Sequence, residues 1–134
     1  PELVNLQIRS AAPDDVAGAV DLLSECDLPT EDLLEHSFSH FLVARAEGID
    51  ELVGVIGLEP YGTLGLLRSL AVSPRHRGKS IARALVGELE RRAKDQGIAE
   101  LYLLTTTAGE YFEHHDYKTV DRGDVPPAIR ATRE

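Results

Sequence analysis

Apolar residues fall at Ile81, Ala82, Leu85, Val86, Leu89 and Ala93, the spacing of a helix that buries one face. The pattern predicts a helix over residues 80–96, ended at Gln96-Gly97, where glycine suits the left-handed position after a helix. A second helical stripe, Val16, Ala19, Val20 and Leu23, follows Ala12-Pro13-Asp14-Asp15, with proline early and acids in the first turn. Cys26 lies near its end and reads as a small, half-buried residue. Pro29-Thr30 breaks the chain, and Thr30 is suited to cap a short helix through Glu35. Strand patterns occupy the rest. Val4-Asn5-Leu6-Gln7-Ile8-Arg9 alternates apolar and polar, and Phe41-Leu42-Val43-Ala44-Arg45 and Leu52-Val53-Gly54-Val55-Ile56-Gly57-Leu58 form runs joined by a turn at Gly48-Ile49-Asp50. Pro60-Tyr61-Gly62 is expected to turn the chain into a strand over Leu64–Val72, and residues 100–105 read as a buried strand. Thr107-Ala108-Gly109-Glu110 has capping-box spacing for a short helix through His115, and residues 117–120 suggest a last strand before a tail from Val125.

Three strands in succession with short turns imply an antiparallel meander. The long helix between the strand at 64–72 and the strand from 100 implies a parallel pair joined by a right-handed crossover. The whole is expected to be one mixed α/β domain over residues 1–134, since neither repeat nor linker interrupts it. Hydrophobic residues make up 43%, enough for one core, and no apolar run approaches the length of a membrane span. Acidic residues outnumber basic ones 23 to 14, a net charge of -9, which argues against nucleic acid as the main partner. A lone Cys26 rules out an internal disulfide, no Cys/His spacing suggests a metal, and the first residues lack a signal-peptide pattern. A cytoplasmic location is the expectation, and the absence of Met fits removal of an initiator.

Against this acidic background Arg75, Arg77, Lys79 and Arg83 cluster where the strand ending at Val72-Ser73-Pro74 feeds the long helix. A helix start carries unpaired N–H groups and the positive end of the helix dipole, so a basic turn here is suited to a phosphate or pyrophosphate. Two phosphate loops fail the test. Gly78-Lys79-Ser80 ends like a P-loop, but Ser73 stands where its first glycine belongs, and no G-x-G-x-x-G is present. Arg77-Gly78-Lys79-Ser80-Ile81-Ala82 instead resembles motif A of the GNAT acetyltransferases, Q/R-x-x-G-x-G/A, with Ser80 in place of the first motif glycine. The predicted order of strands and helices also resembles the GNAT fold. The resemblance implies a single domain with a mixed, mostly antiparallel sheet, a central parallel βαβ crossover and helices on both faces. It implies acetyl-CoA as cosubstrate, with the pyrophosphate on Arg77, Gly78, Lys79, Ser80, Ile81, Ala82 and Arg83. The pantetheine arm would lie along the backbone of Leu70, Ala71 and Val72, and an amide there, at Leu70, would polarise the thioester carbonyl. Fixed N–H dipoles in a dry cleft stabilise an oxyanion whatever the family.

Within the family, the wording of residues 66–72, 101–108 and 124–134 is similar to acetyltransferases encoded with arsenic-resistance genes. That implies a small-molecule amine, amino-acid-like and arsenic- or phosphorus-containing, with no nucleic acid or membrane partner; a homodimer stays open. Catalytic groups are less legible. Many family members carry a Tyr four residues before a Gly-Phe or Gly-Tyr pair; here the pair is Asp116-Tyr117, so Phe112 fills that position and Tyr111 sits one residue off, about 100° round a helix. Tyr111 is a candidate acid, and packing is its alternative. Glu59 is a candidate base acting through water. His36 and His40 could line a pocket, whereas His76, His114 and His115 read as surface residues. Arg68, a charge inside an apolar run, must find a partner or face a cavity. It is either a fork for a substrate anion or half of a structural ion pair. Two functions follow: direct acetyl transfer without a covalent intermediate, Cys26 being poorly placed as a nucleophile, or a CoA-binding sensor with little catalysis.

Overall fold

The protein is represented by a computed structural model that describes residues 6–26, 41–48, 51–76 and 81–103. Five strands, β1 (Leu6–Ser10), β2 (Phe41–Ala46), β3 (Gly54–Tyr61), β4 (Leu64–Val72) and β5 (Glu100–Tyr102), lie side by side in chain order. The first three pairings are antiparallel and the β4–β5 pairing is parallel, as the meander and crossover predicted. Helix α1 (Val16–Glu25) covers one face and α2 (Ile81–Asp95) the other. This two-sided cover explains why β2 reads as a continuous apolar run. Leu42, Ala44 and Ala46 pack under α2, while Phe41 and Val43 pack under α1.

The faces of α2 are those its period predicts: Ile81, Leu85, Val86, Leu89 and Ala93 are buried, with Ala82 half-buried. Leu85 and Leu89, almost wholly enclosed, each contribute about 1.5–3 kcal/mol by leaving water. Gly97, at φ 85°, ends the helix. Its N–H donates to the Lys94 carbonyl and the Ile98 N–H donates to the Ala93 carbonyl, both at 3.0 Å, which satisfies carbonyls the helix leaves open.

The stripe of α1 is shifted from expectation. Ala19, Leu22 and Leu23 are buried, while Val16 and Val20 are only half-buried. The helix proper starts at Val16 because residues Pro13–Asp15 form a tighter 3-10 turn, which rotates the contact face. β3 also runs through Tyr61, so the turn is Gly62-Thr63 and not Pro60-Tyr61-Gly62. The strand expected over 100–105 is described for Glu100–Tyr102. The expected helix to Glu35, the capped helix after Thr107, the strand at 117–120 and the tail lie outside the described residues. Among the described residues no helix is long and apolar enough to cross a membrane.

Candidate active site

One extra residue in β4 shapes the site. Val55 pairs with Ala71 and Gly57 with Arg68, so Ser69 and Leu70 together oppose Ile56. Ser69 adopts φ 56°, the left-handed conformation of a bulge residue, at a cost of about 1 kcal/mol for a non-glycine. The bulge resets the alternation. Leu67 packs on the α2 side, as do Leu70 and Val72, while Ala71 packs on the α1 side. Pairing of β4 with β5 ends at Leu66 opposite Tyr102. From Leu67 onward, β4 therefore has β3 on one edge and no strand on the other among the described residues.

That open edge leads through a 3-10 turn, Pro74–His76, towards the start of α2 at Ile81. Two buried polar atoms in this turn region, Ser73 Oγ and His76 Nδ1, have no hydrogen-bond partner among the described residues. Buried polar groups are almost always paired, so both fit a place where a polar ligand docks. The buried Ser73 and half-buried His76 were not singled out as binding residues from the sequence; His76 was read as a surface residue. Arg77, Gly78, Lys79 and Ser80 lie outside the described residues, whereas Ile81 is buried and Arg83 exposed. Arg75 donates to Glu25 at 3.0 Å and Glu51 at 3.3 Å. Its charge is thus engaged with the end of α1 and the β2–β3 connection, a partnership that its place in the basic cluster did not reveal. Cys26 is half-buried, as expected, and its thiol donates to the Val72 carbonyl at 3.6 Å.

The β3–β4 hairpin assembles a second polar group. Gly62, at φ 69°, supplies the first central position of a two-residue turn. The turn sets Tyr61 opposite Leu64, Glu59 opposite Leu66 and Gly57 opposite Arg68, all directed to the α1 side. Arg68 is 4% exposed and ion-paired with Glu59 through Oε1, while the Tyr61 hydroxyl donates to Glu59 Oε2. Arg68 Nε also approaches Ser69 Oγ at 3.4 Å. Burial pushes the Tyr61 phenol above its ordinary range, so it stays a donor at neutral pH. The ion pair foreseen as one alternative for Arg68 is present. Tyr61 was missed, being read as a turn residue; counting back from a Gly62-Thr63 turn would have put it on the same face as Glu59. Tyr111, Phe112, His36, His40, His114 and His115 lie outside the described residues.

Cavities among the described residues lie apart from the Arg68–Glu59–Tyr61 group. One of about 360 Å³ sits between Ser10, Leu42, Leu89 and Arg92; another of about 600 Å³ runs along α1 past Asp14, Gly18, Arg45 and Arg75. Among the described residues no cluster of His, Cys, Asp and Glu could hold a metal ion.

A sequence model of the acetyltransferase (GNAT) family matches residues 6–119. The chain belongs to the GNAT acetyltransferase family. An acetyltransferase of Pectobacterium atrosepticum is 31% identical over 129 residues, covering 87% of this chain and 90% of that protein. An amino-acid acetyltransferase of Pseudomonas syringae pv. syringae is 30% identical over 135 residues, 93% of this GNAT chain but 30% of that protein. The chain thus spans less than a third of the amino-acid acetyltransferase. N-acetylglutamate synthase from Neisseria gonorrhoeae, solved with coenzyme A and N-acetyl-glutamate, matches with a TM-score of 0.85 at 23% identity, covering 96% of this chain and 32% of that one. This likeness establishes the GNAT fold, with its mixed sheet and helices on both faces.

Proposed function

We propose that this GNAT chain is an acetyl-CoA-dependent N-acetyltransferase whose acceptor is a small, amino-acid-like amine. The observation that carries the reading is the bulged β4, whose edge beyond Leu66 has no strand beside it among the described residues and leads into the turn at Pro74–His76. Acetyl-CoA, when bound, supplies the acetyl group as a thioester. The amides from Gly78 to Ala82, at the positive end of α2, would hold its pyrophosphate, with Arg77, Lys79 and Arg83 adding charge. Ser73 Oγ and His76 Nδ1 are buried polar atoms at the same approach that lack partners among the described residues. Backbone groups of Leu70, Ala71 and Val72 would line the pantetheine arm, and the Leu70 N–H would face the acyl oxygen. Tyr111 is assigned the departing proton.

Arg68 is assigned the acceptor's anionic group, since a forked guanidinium suits a carboxylate or an arsenical or phosphinate oxyanion. Two features support this: the amino-acid acetyltransferases among the relatives and a buried charge satisfied from the side of Glu59, which keeps 16% exposure. The resemblance to arsenic-resistance acetyltransferases extends the acceptor class to arsenic- and phosphorus-containing amino acids. Glu59 accepts from Tyr61 on one oxygen and from Arg68 on the other, and its remaining lone pairs leave room for a water, so it is assigned both the holding of Arg68 and the base acting through water. Direct transfer fits Cys26, whose thiol is engaged by the Val72 carbonyl.

The test is release of free CoA from acetyl-CoA with a panel of amino acids and simple amines. Turnover that favours amino acids supports the reading; binding of CoA without turnover on any amine overturns it in favour of a sensor. Gly78→Val should weaken CoA binding at least about tenfold, because a β-branched side chain keeps the backbone from the phosphates. Unchanged affinity by calorimetry would refute the phosphate placement.

A further inference from the structure

Tyr61 has no task in the acetyl-transfer reading, yet it holds one end of the chain that leads to Arg68. Its ring packs with Tyr102 against the fully buried Leu66, so the hydroxyl is delivered to one place. Tyr102 cannot substitute for it, because its own hydroxyl is directed to Glu100 at 3.3 Å. Glu59 therefore divides its carboxylate, one oxygen to Tyr61 and the other to Arg68.

We infer that Tyr61 is a positioning residue that sets acceptor specificity. By donating to Glu59 it draws that carboxylate partly away from Arg68, leaving the guanidinium able to take an anionic group of the acceptor. This inference rests on the assignment of Arg68 to the acceptor made above. The physical argument is competition. A carboxylate with a single cationic partner concentrates its charge on that partner, whereas a second donor on the other oxygen shares it. An incoming anion must displace or share Glu59 at Arg68, and that exchange is easier when Tyr61 retains Glu59. Removing the phenol oxygen should tighten the internal ion pair and exclude the acceptor. Removing the Glu59 charge should do the opposite.

The experiment uses the full chain, an α-amino acid that the unaltered protein acetylates, and the methyl ester of that amino acid. The ester keeps the reacting amine and lacks the anion. Tyr61→Phe should raise KM for the free acid about three- to tenfold, the effect of one net hydrogen bond. The ester's KM and the kcat for either acceptor should move by less than about twofold. Glu59→Gln should shift the ratio of acid to ester KM the other way, towards the acid. A purely structural Tyr61 predicts a lowered Tm with equal loss on both acceptors, or no change in either KM, and each of these results overturns the inference. Tyr61→Phe removes one oxygen from a half-buried ring, so the comparison stands even if Glu59→Gln fails to fold. Absence of turnover by the unaltered protein would overturn the acetyltransferase reading itself and this inference with it. Turnover with an unmoved acid-to-ester ratio in Tyr61→Phe overturns the inference alone.

Discussion

Asp15 and Arg68 are both buried charges, and the chain treats them differently. Asp15, 2% exposed, is enclosed by donors: Arg9 at 2.6 and 2.9 Å, Arg45 at 3.3 Å and the Ala12 N–H at 2.8 Å. These hydrogen bonds, Arg9's first, outweigh burial and hold its carboxyl down to about 2. Because the folded value lies below the ordinary 3.8, the stabilisation is fully present above pH 4 and is lost as pH falls from there towards 2. Asp15→Asn should therefore cost about 2 kcal/mol in urea unfolding at pH 7, with the gap to the unaltered protein closing below pH 4. A constant gap across that range would show that the charge is not what the three donors recognise. Among the described residues Arg68 is ion-paired with Glu59, and that partner retains solvent contact. Arg68→Gln should raise KM for anionic acceptors by about tenfold to a few hundredfold, the worth of a desolvated forked pair. Calorimetry should find CoA affinity unmoved. A lowered Tm with even loss on all amines would return Arg68 to a structural role.

At the scale of elements, the bulge in β4 separates what stability asks of the strand from what chemistry asks. A regular ladder through Leu64–Val72 would carry Leu70 to the α1 side and Ala71 to the α2 side, exchanging a large residue for a small one under each helix. Ser69 restores both to the sides they occupy, at the cost of its left-handed backbone. Deleting Ser69 would leave every neighbour on its present side while straightening the strand. The shortened protein should fold with a Tm equal to or above the original, since strain of about 1 kcal/mol is relieved. It should lose acetyl transfer, because the irregular edge at Leu70 disappears. Thermal melts and a CoA-release assay on the same preparation check both halves, and an active deletion variant would dissociate the bulge from the chemistry.

For the molecule as a whole, stability and ligand are linked by mass action. A ligand held only by the folded state adds RT ln(1 + [L]/Kd), about 2.7 kcal/mol at a hundred times Kd. For 134 residues this corresponds to a rise in Tm of roughly 10 °C. CoA should produce such a shift, and Gly78→Val should lose it at the same CoA concentration. No shift with CoA in the unaltered protein would contradict a site at the start of α2. The net charge of -9 makes the basic residues at 75–83 a local exception, so the shift should shrink as salt screens them.

The faces of α2, the end of that helix at Gly97 and the meander of β2, β3 and β4 were legible in the chain because each depends on periodicity or on turn chemistry within a few residues. The contacts of Arg68 were not. They depend on a two-residue turn at Gly62-Thr63 and on one extra residue at Ser69, a position with no glycine to mark it, and a slip of one residue would point Arg68 to the other face. Asp15 was read as a helix-starting acid, since nothing local announces that β1 and β2 bring Arg9 and Arg45 onto it. Local free energies set the elements, and only the packed sheet decided which charges meet, because meeting partners across strands requires the register of the whole hairpin to be in place.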